Sequence, residues 1–230
     1  MKKILFFALS VFLILPALAD VEEVLEKNNK IQTKIDEVGT NLLNLNKITK
    51  RIIFSYSDQE KKKIVLLDKT ITKRQVVIYQ DLYQYTQTDD ELAAMLAREI
   101  SLAVKSYDGA WGGRIDALQI ALSPKKFEIV DDKRAVDYLV KAGYNPLALI
   151  VFINKSCHQA RGDKISRTNL TSKRLAIIYE YITYKYPQYL ENNEYIKNPY
   201  YQNFLLTSVE NRKKLENKIK AHSKETLKYE

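Results

Sequence analysis

The sequence predicts an α+β fold that is predominantly helical, with a small antiparallel sheet and long flanking helices. Three observations carry this. Val21, Val24, Leu25, Ile31, Ile35, Val38, Leu42 and Leu45 recur at helical spacing with charge between them. Three short β-branched or aromatic runs, Arg51–Ser57, Lys63–Asp68 and Gln75–Tyr79, are separated by charged turns, which is the pattern of short strands. From Thr88 onward the periodicity is almost wholly helical.

The chain opens with a basic Met1-Lys2-Lys3, an apolar run Ile4–Leu15 and a small-residue Ala17-Leu18-Ala19, the anatomy of a secretory signal peptide of bacterial type. Residues 1–19 are therefore read as the signal, with cleavage near Ala19 and a destination in the periplasm or outside the cell. A membrane anchor is the alternative, but the run falls short of the ~20 apolar residues a spanning helix needs. No cysteine sits just past the cleavage site to carry a lipid. Removing 19 of 230 residues leaves 211, enough for one domain with a substantial core plus appendages.

The formal charge of +9 becomes about +7 once Lys2 and Lys3 are removed. In an exported protein that balance suits an anionic envelope surface rather than nucleic acid. A general enrichment in Lys, Ile, Asn and Tyr explains the same charge without any partner. Cys157 is the only cysteine, so no internal disulfide forms. Its neighbour His158 does not make it a catalytic pair, since adjacent residues rarely face one another and the surrounding Lys155–Asp163 reads as a polar loop.

The organisation expected is a signal peptide 1–19, an N-terminal amphipathic helix within 20–50 that is interrupted or ended near Gly39, a central domain 51–186, and a Tyr-rich segment with a C-terminal helix over 187–230. Thr88 as N-cap with Glu91 three residues on forms a capping box that opens a helix to about Lys105. Leu92, Met95, Leu96, Glu99, Leu102 and Ala103 fall on one face of it, so Glu99 sits in an apolar stripe. Asp108–Gly113 breaks this helix, another follows near Ile115–Leu122, and a third runs from about Lys126 to Lys141 with Gly143 at its C-cap. Pro146 opens a short helix, Leu147–Asn154. Thr171–Tyr186 is helical and stops before Pro187. From about Tyr200 an amphipathic helix carries Phe204, Leu205, Val209, Leu215 and Ile219 on one side. The eight tyrosines from Tyr179 to Tyr201 are read as ordinary packing, with an interaction surface as the alternative.

The helix that begins at Asp89 has the frame of a zinc-peptidase helix. In the motif H-E-x-x-H two histidines one turn apart ligate zinc and the glutamate between them activates water. Here the glutamate is Glu99, while the histidine positions hold Arg98, which has no lone pair to donate, and Leu102, which has no donor atom. Without a metal, Glu99 needs another partner, because an isolated buried charge is costly, and Arg98, about 100° round the helix, does not face it.

Several segments in order resemble the gluzincin metallopeptidases of family forty-eight, the HtpX, BepA and CAAX-protease type. They are Val76–Tyr79, Asp90–Ile100, Glu128-x-x-x-Asp132 with Ala135–Leu139, Lys141–Pro146 and Thr168–Leu175. The resemblance spans roughly Lys63–Ala176 and implies a metallopeptidase-like (zincin) helical domain, here a catalytically degenerate periplasmic member. It makes Glu99 the counterpart of the general base, Glu128 of the glutamate zinc ligand, Asp132 of the supporting carboxylate, Asn169 of an active-site histidine and Arg174 of the arginine that follows it. Arg98, Leu102 and Asn169 stand where the family has imidazoles, and only His158 and His222 remain in the chain. Since the resemblance brings the helix of Glu128 and Asp132 to the same site, Arg98 is expected to reach one of these carboxylates and to balance that acidic helix.

The expectation is therefore an exported, inactive metallopeptidase-like protein that binds no cofactor and acts as a periplasmic binding, chaperone-like or assembly module. Its partner would be an unfolded or extended envelope polypeptide, laid along an edge strand near Gln75–Tyr79. One alternative is an active zinc metalloendopeptidase with an atypical metal site, which alone would require zinc. The other is an envelope-surface interaction protein.

Overall fold

The computed structural model describes residues 2–59, 75–108, 124–156 and 170–229, with side chains for 22–59, 75–105, 129–156 and 171–229. The predicted run Lys63–Asp68 and helix Ile115–Leu122, the Gly-rich break after Asp108, and Cys157, His158 and Asn169 lie outside the described residues. So do the side chains of the predicted signal segment and of Glu128.

The first helix, α1 (Lys2–Leu45), is one continuous element. It crosses the predicted cleavage point and, contrary to expectation, does not stop at Gly39. Gly39 is instead a contact position: a Cβ built there would lie 2.5 Å from the Phe54 ring. The glycine lets a strand approach the helix, and the helix tolerates it at a cost of about 1 kcal/mol in propensity. Ile35, Val38 and Leu42 form the buried stripe of α1. The helix ends in a Schellman motif, with Ile48 N–H bonded to Leu43 C=O, Lys47 N–H to Asn44 C=O, and Lys47 in the left-handed region at φ 55°.

Two strands follow, β1 (Ile53–Ser57) and β2 (Gln75–Tyr79). They pair in parallel, Phe54 opposite Val76 and Tyr56 opposite Ile78, which corrects the antiparallel sheet expected from the sequence. The turn-separated runs suggested consecutive hairpins, but β1 and β2 are direct neighbours, and parallel neighbours need a long crossover rather than a tight turn. Phe54, Val76 and Ile78 point into the core. On the far side of β1, the Gln32 side chain of α1 donates to Phe54 C=O at 3.2 Å and accepts from Tyr56 N–H at 2.6 Å. One helix amide thus satisfies two of the backbone groups on the outer edge of β1.

After the single turn α2 (Gln80–Tyr83), the central helix α3 (Asp89–Asp108) packs most extensively against α4 (Pro124–Lys141), and also against α1 and α5 (Leu147–Ser156). Residues 91–98 of α3 are all buried, so this helix runs through the core rather than across its surface. Gly143, at φ 81°, closes α4 as predicted: Tyr144 N–H reaches Leu139 C=O and Gly143 N–H reaches Val140 C=O. In α5, Leu147–Ile153 are at most 2% exposed.

The helix α6 (Leu170–Lys185) stops before Pro187 as the sequence indicates, and the single turn α7 (Gln188–Glu191) follows. The expected C-terminal helix is two, α8 (Pro199–Thr207) and α9 (Val209–Lys220), divided at Ser208. Asn198 caps α8 by accepting from Tyr200 N–H at 2.9 Å, with Pro199 in the first turn where its missing N–H costs nothing. Tyr195, Tyr201 and Phe204 belong to the same core as α3 and α5. The packing reading of the tyrosines holds for Tyr195 and Tyr201. Tyr179, Tyr181, Tyr186 and Tyr189 are partly buried against that core, while Tyr184 and Tyr200 are exposed.

Candidate functional site

The helix carrying the motif starts where capping chemistry places it. Thr88 Oγ1 accepts from Glu91 N–H at 3.2 Å, and the Glu91 carboxylate accepts from Gln87 N–H at 2.8 Å, one residue before the cap. That start fixes the rotation of α3 and turns Arg98 inward against α4. Arg98 is 3% exposed and Asp132 is 1% exposed. Arg98 Nε donates to Asp132 Oδ1 at 2.9 Å. Arg174, from the first half of α6, holds the same carboxylate bidentately, Nη2 to Oδ1 at 2.7 Å and Nε to Oδ2. Three helices therefore meet on one carboxylate, and the Arg98–Asp132 contact expected from the sequence is formed.

Burial pushes the Asp132 carboxyl up, but the charge and hydrogen bonds of Arg174 and then of Arg98 outweigh it, leaving the group below the ordinary aspartate range. A buried carboxylate is affordable only with such partners, and two guanidiniums on one carboxylate over-neutralise it locally. The next residue has the opposite environment. Asp131 is fully buried; Ser101 Oγ donates to its Oδ1 at 2.9 Å, and among the described residues Oδ2 has no partner. Burial raises its carboxyl above the ordinary value, opposed by the Ser101 hydrogen bond and by the charges of Lys105, Arg134 and Arg98. Adjacent aspartates on α4 are thus pushed apart because one meets guanidinium forks and the other a neutral hydroxyl.

The structure brings together three of the residues singled out from the sequence, Arg98, Asp132 and Arg174. Leu102 lies one helical turn beyond Arg98 and is 5% exposed within the core cluster. Glu99 is partly buried and engaged rather than free. The backbone of Glu128 is in α4, one turn before Asp132. His222 is exposed beyond the end of α9.

These side chains do not fit a zinc ion. A zinc site needs lone pairs from about four donors, and here Arg98 offers only N–H groups, Leu102 offers hydrocarbon, and Asp132 is already taken by two guanidiniums. Among the described residues no group of three or more His, Cys, Asp or Glu side chains is placed to hold a metal. What the centre can do is join α3, α4 and α6 electrostatically.

Two polar constellations were not foreseen. Glu91, read as a capping residue, is also half of a buried ion pair: Lys155, from the last turn of α5, reaches both of its carboxylate oxygens at 2.8 Å and Gln87 Oε1 at 2.9 Å. A charged residue closing the apolar run Leu147–Ile153 was the available signal. The second is a cleft of about 360 Å³ lined by Asp90, Gly143, Asn145, Gln188, Tyr189, Asn192 and Glu194. Asn145 organises it: its N–H donates to Asp90 Oδ1 at 3.1 Å, its Nδ2 to Glu194 Oε2 at 3.3 Å, and its Oδ1 accepts from Leu147 N–H at 3.0 Å at the start of α5. Burial first, with Glu194 and Asp89 adding to it, raises the Asp90 carboxyl against the opposing Asn145 and Tyr195 hydrogen bonds.

Set beside known proteins, the chain matches no family model, no curated protein and no solved structure.

Proposed function

We propose that this chain is a non-catalytic binding module built on a metallopeptidase-like frame, in which an arginine–aspartate junction replaces the metal centre. The observation that carries the reading is Arg98 seated at a histidine position of the motif and bonded to Asp132, with Arg174 on the same carboxylate. In the motif the glutamate acts on a water that the metal activates; with Arg98 and Leu102 at the ligand positions, Glu99 takes a structural role in this reading. The retained capability is the binding of an extended polypeptide of the cell envelope beside β2. Gln32 of α1 occupies the outer edge of β1, and among the described residues no strand pairs with the outer edge of β2. An added strand there would gain main-chain hydrogen bonds, with Gln75, Val77 and Tyr79 on the face away from the core to select side chains.

The experiment has two arms. Elemental analysis of the purified chain after dialysis against a mild chelator should find no stoichiometric zinc, and the double variant Arg98→His with Leu102→His should gain zinc if Glu128 can serve as a ligand. Titration with a reduced, unfolded polypeptide should show binding that is lost when Val77→Pro removes a backbone donor from β2. One tightly held zinc per wild-type chain would overturn the non-catalytic reading. Unchanged binding by Val77→Pro would remove β2 as the docking edge.

A further inference from the structure

The end of α9 turns back on the molecule. Ser223 N–H bonds to Lys218 C=O and His222 N–H to Ile219 C=O, each at 3.1 Å, with His222 in the left-handed region at φ 50°. This is a helix stop with histidine where glycine is usual. Lys224, Glu225, Thr226 and Lys228 are then exposed. Among the described residues no backbone–backbone hydrogen bond ties 224–228 to the body. Tyr229 reverses this and is 4% exposed. Its hydroxyl donates to Glu180 Oε2 at 2.8 Å, while Lys218 Nζ donates to Glu180 Oε1 at 2.9 Å and stands 5.4 Å from the centre of the Tyr184 ring. Burial and the nearby Glu180 carboxylate keep the phenol protonated, well above its ordinary range.

Residues 224–229 thus form a largely exposed tether, with Leu227 half-buried, that carries one aromatic plug. Its socket belongs to two helices that are already joined without it, because Lys218 of α9 and Glu180 of α6 pair directly. A site of this construction does not depend on the plug for its shape, and the plug can leave without unfolding either helix. We propose that the Glu180–Tyr184–Lys218 socket between α6 and α9 is a binding site for a tyrosine-bearing peptide segment, which the chain's own tail occupies as a releasable strap. The glutamate selects a phenol over a phenyl ring by accepting its hydroxyl, and the lysine fixes the glutamate. The site is independent of the Arg98–Asp132–Arg174 centre and of the β2 edge.

A plug on so short a tether faces its socket at an effective concentration in the millimolar range. A free peptide therefore competes poorly with the tail in the wild-type chain and binds openly once the plug is removed. The test uses the full-length protein, wild type and Tyr229→Ala, titrated with a synthetic peptide Ser-Lys-Glu-Thr-Leu-Lys-Tyr and followed by the amide chemical shifts of α6. The expected result is saturable binding to Tyr229→Ala that is about tenfold or more stronger than to wild type, and weaker binding of the same peptide ending in Phe.

Limited trypsin treatment supplies a second reading, since cleavage after Lys224 and Lys228 should be faster in Tyr229→Ala and in the milder Tyr229→Phe than in wild type, with the melting temperature little changed. Equal affinity of the peptide for both proteins, or no binding to Tyr229→Ala at millimolar peptide, overturns the proposal. So does tail cleavage in wild type that proceeds only as fast as the core unfolds.

Discussion

Replacing Arg98 by alanine tests the junction most directly. The substitution removes one charge-assisted hydrogen bond in a site where donor and acceptor are 3% and 1% exposed, a loss of about 1.5–3 kcal/mol. It also strips buried methylenes of the arginine stem, at about 0.8 kcal/mol each. Against these stand the desolvation that the guanidinium no longer suffers and the fact that Asp132 keeps the bidentate Arg174. The net expectation is destabilisation by about 1–4 kcal/mol. Asp132→Asn should do worse, about 3–5 kcal/mol, because it removes the carboxylate charge to which both buried guanidiniums are bonded. Arg98→Leu should lie below Arg98→Ala, since the hydrocarbon is restored while the charge is lost.

Urea unfolding monitored by far-ultraviolet circular dichroism reads these as shifts in midpoint at constant slope. The acid side gives an independent check. The folded Asp132 carboxyl lies below its unfolded value, so its stabilisation is full above the ordinary 3.8 and is lost as the pH falls through the lower folded value. Asp132→Asn should remove that component of acid sensitivity. A change under about 0.5 kcal/mol for Arg98→Ala, within the range of ordinary surface substitutions, would show that the junction is not holding the helices together.

Three further outcomes follow from other parts of the chain. Asp131 has a raised folded value, so its contribution has the opposite sign: it favours folding at low pH and is lost as the pH rises from the ordinary 3.8 through the higher folded value, and Asp131→Asn should flatten that part of the stability profile. Gly39→Ala improves helix propensity by about 1 kcal/mol but drives a methyl into the Phe54 ring, an overpacking cost of about 1–3 kcal/mol; thermal melts should show net destabilisation, relieved by adding Phe54→Leu. At the helix stops, Lys47→Gly should stabilise by about 0.5–1 kcal/mol because Lys47 is exposed at φ 55°, whereas Gly143→Ala at φ 81° should destabilise by a similar amount.

Helices with strong local signals were legible. Thr88 and Glu91 placed the start of α3, Gly143 the end of α4, and Pro187 the end of α6, because each acts on its own backbone within a few residues. Gly39 was misread for the same reason: local propensity says that a glycine weakens a helix, and only the arrival of Phe54 from β1 shows why it is there. The parallel pairing of β1 and β2 was illegible because strand direction depends on the path of the connection, which hydrophobic alternation does not encode. At the centre, the resemblance that sets α4 beside α3, together with the charge types, brought Arg98 to Asp132. Lys155 with Glu91, and Asn145 with Asp90 and Glu194, are separated by dozens of residues and joined only by packing; the charge at the end of the apolar run signals that Lys155 needs a partner, and no spacing names which.

The junction also differs from a metal centre in a way that limits how a metal could be introduced there. A metal draws lone pairs from its ligands, whereas guanidinium supplies N–H groups and leaves the carboxylate as the acceptor. Changing Arg98 to histidine alone would provide one imidazole against an Asp132 that Arg174 still holds with two donors. Metal capture therefore requires two imidazoles at once, from positions 98 and 102, while Arg174 continues to anchor Asp132 as a supporting carboxylate. Position 102 now carries a leucine packed in the core cluster, so introducing histidine there buries a polar ring and lowers stability unless the metal binds. The double variant should accordingly be less stable than wild type in chelator and more stable in zinc than in chelator. Equal stability in zinc and chelator would mean that no third ligand reaches the two imidazoles.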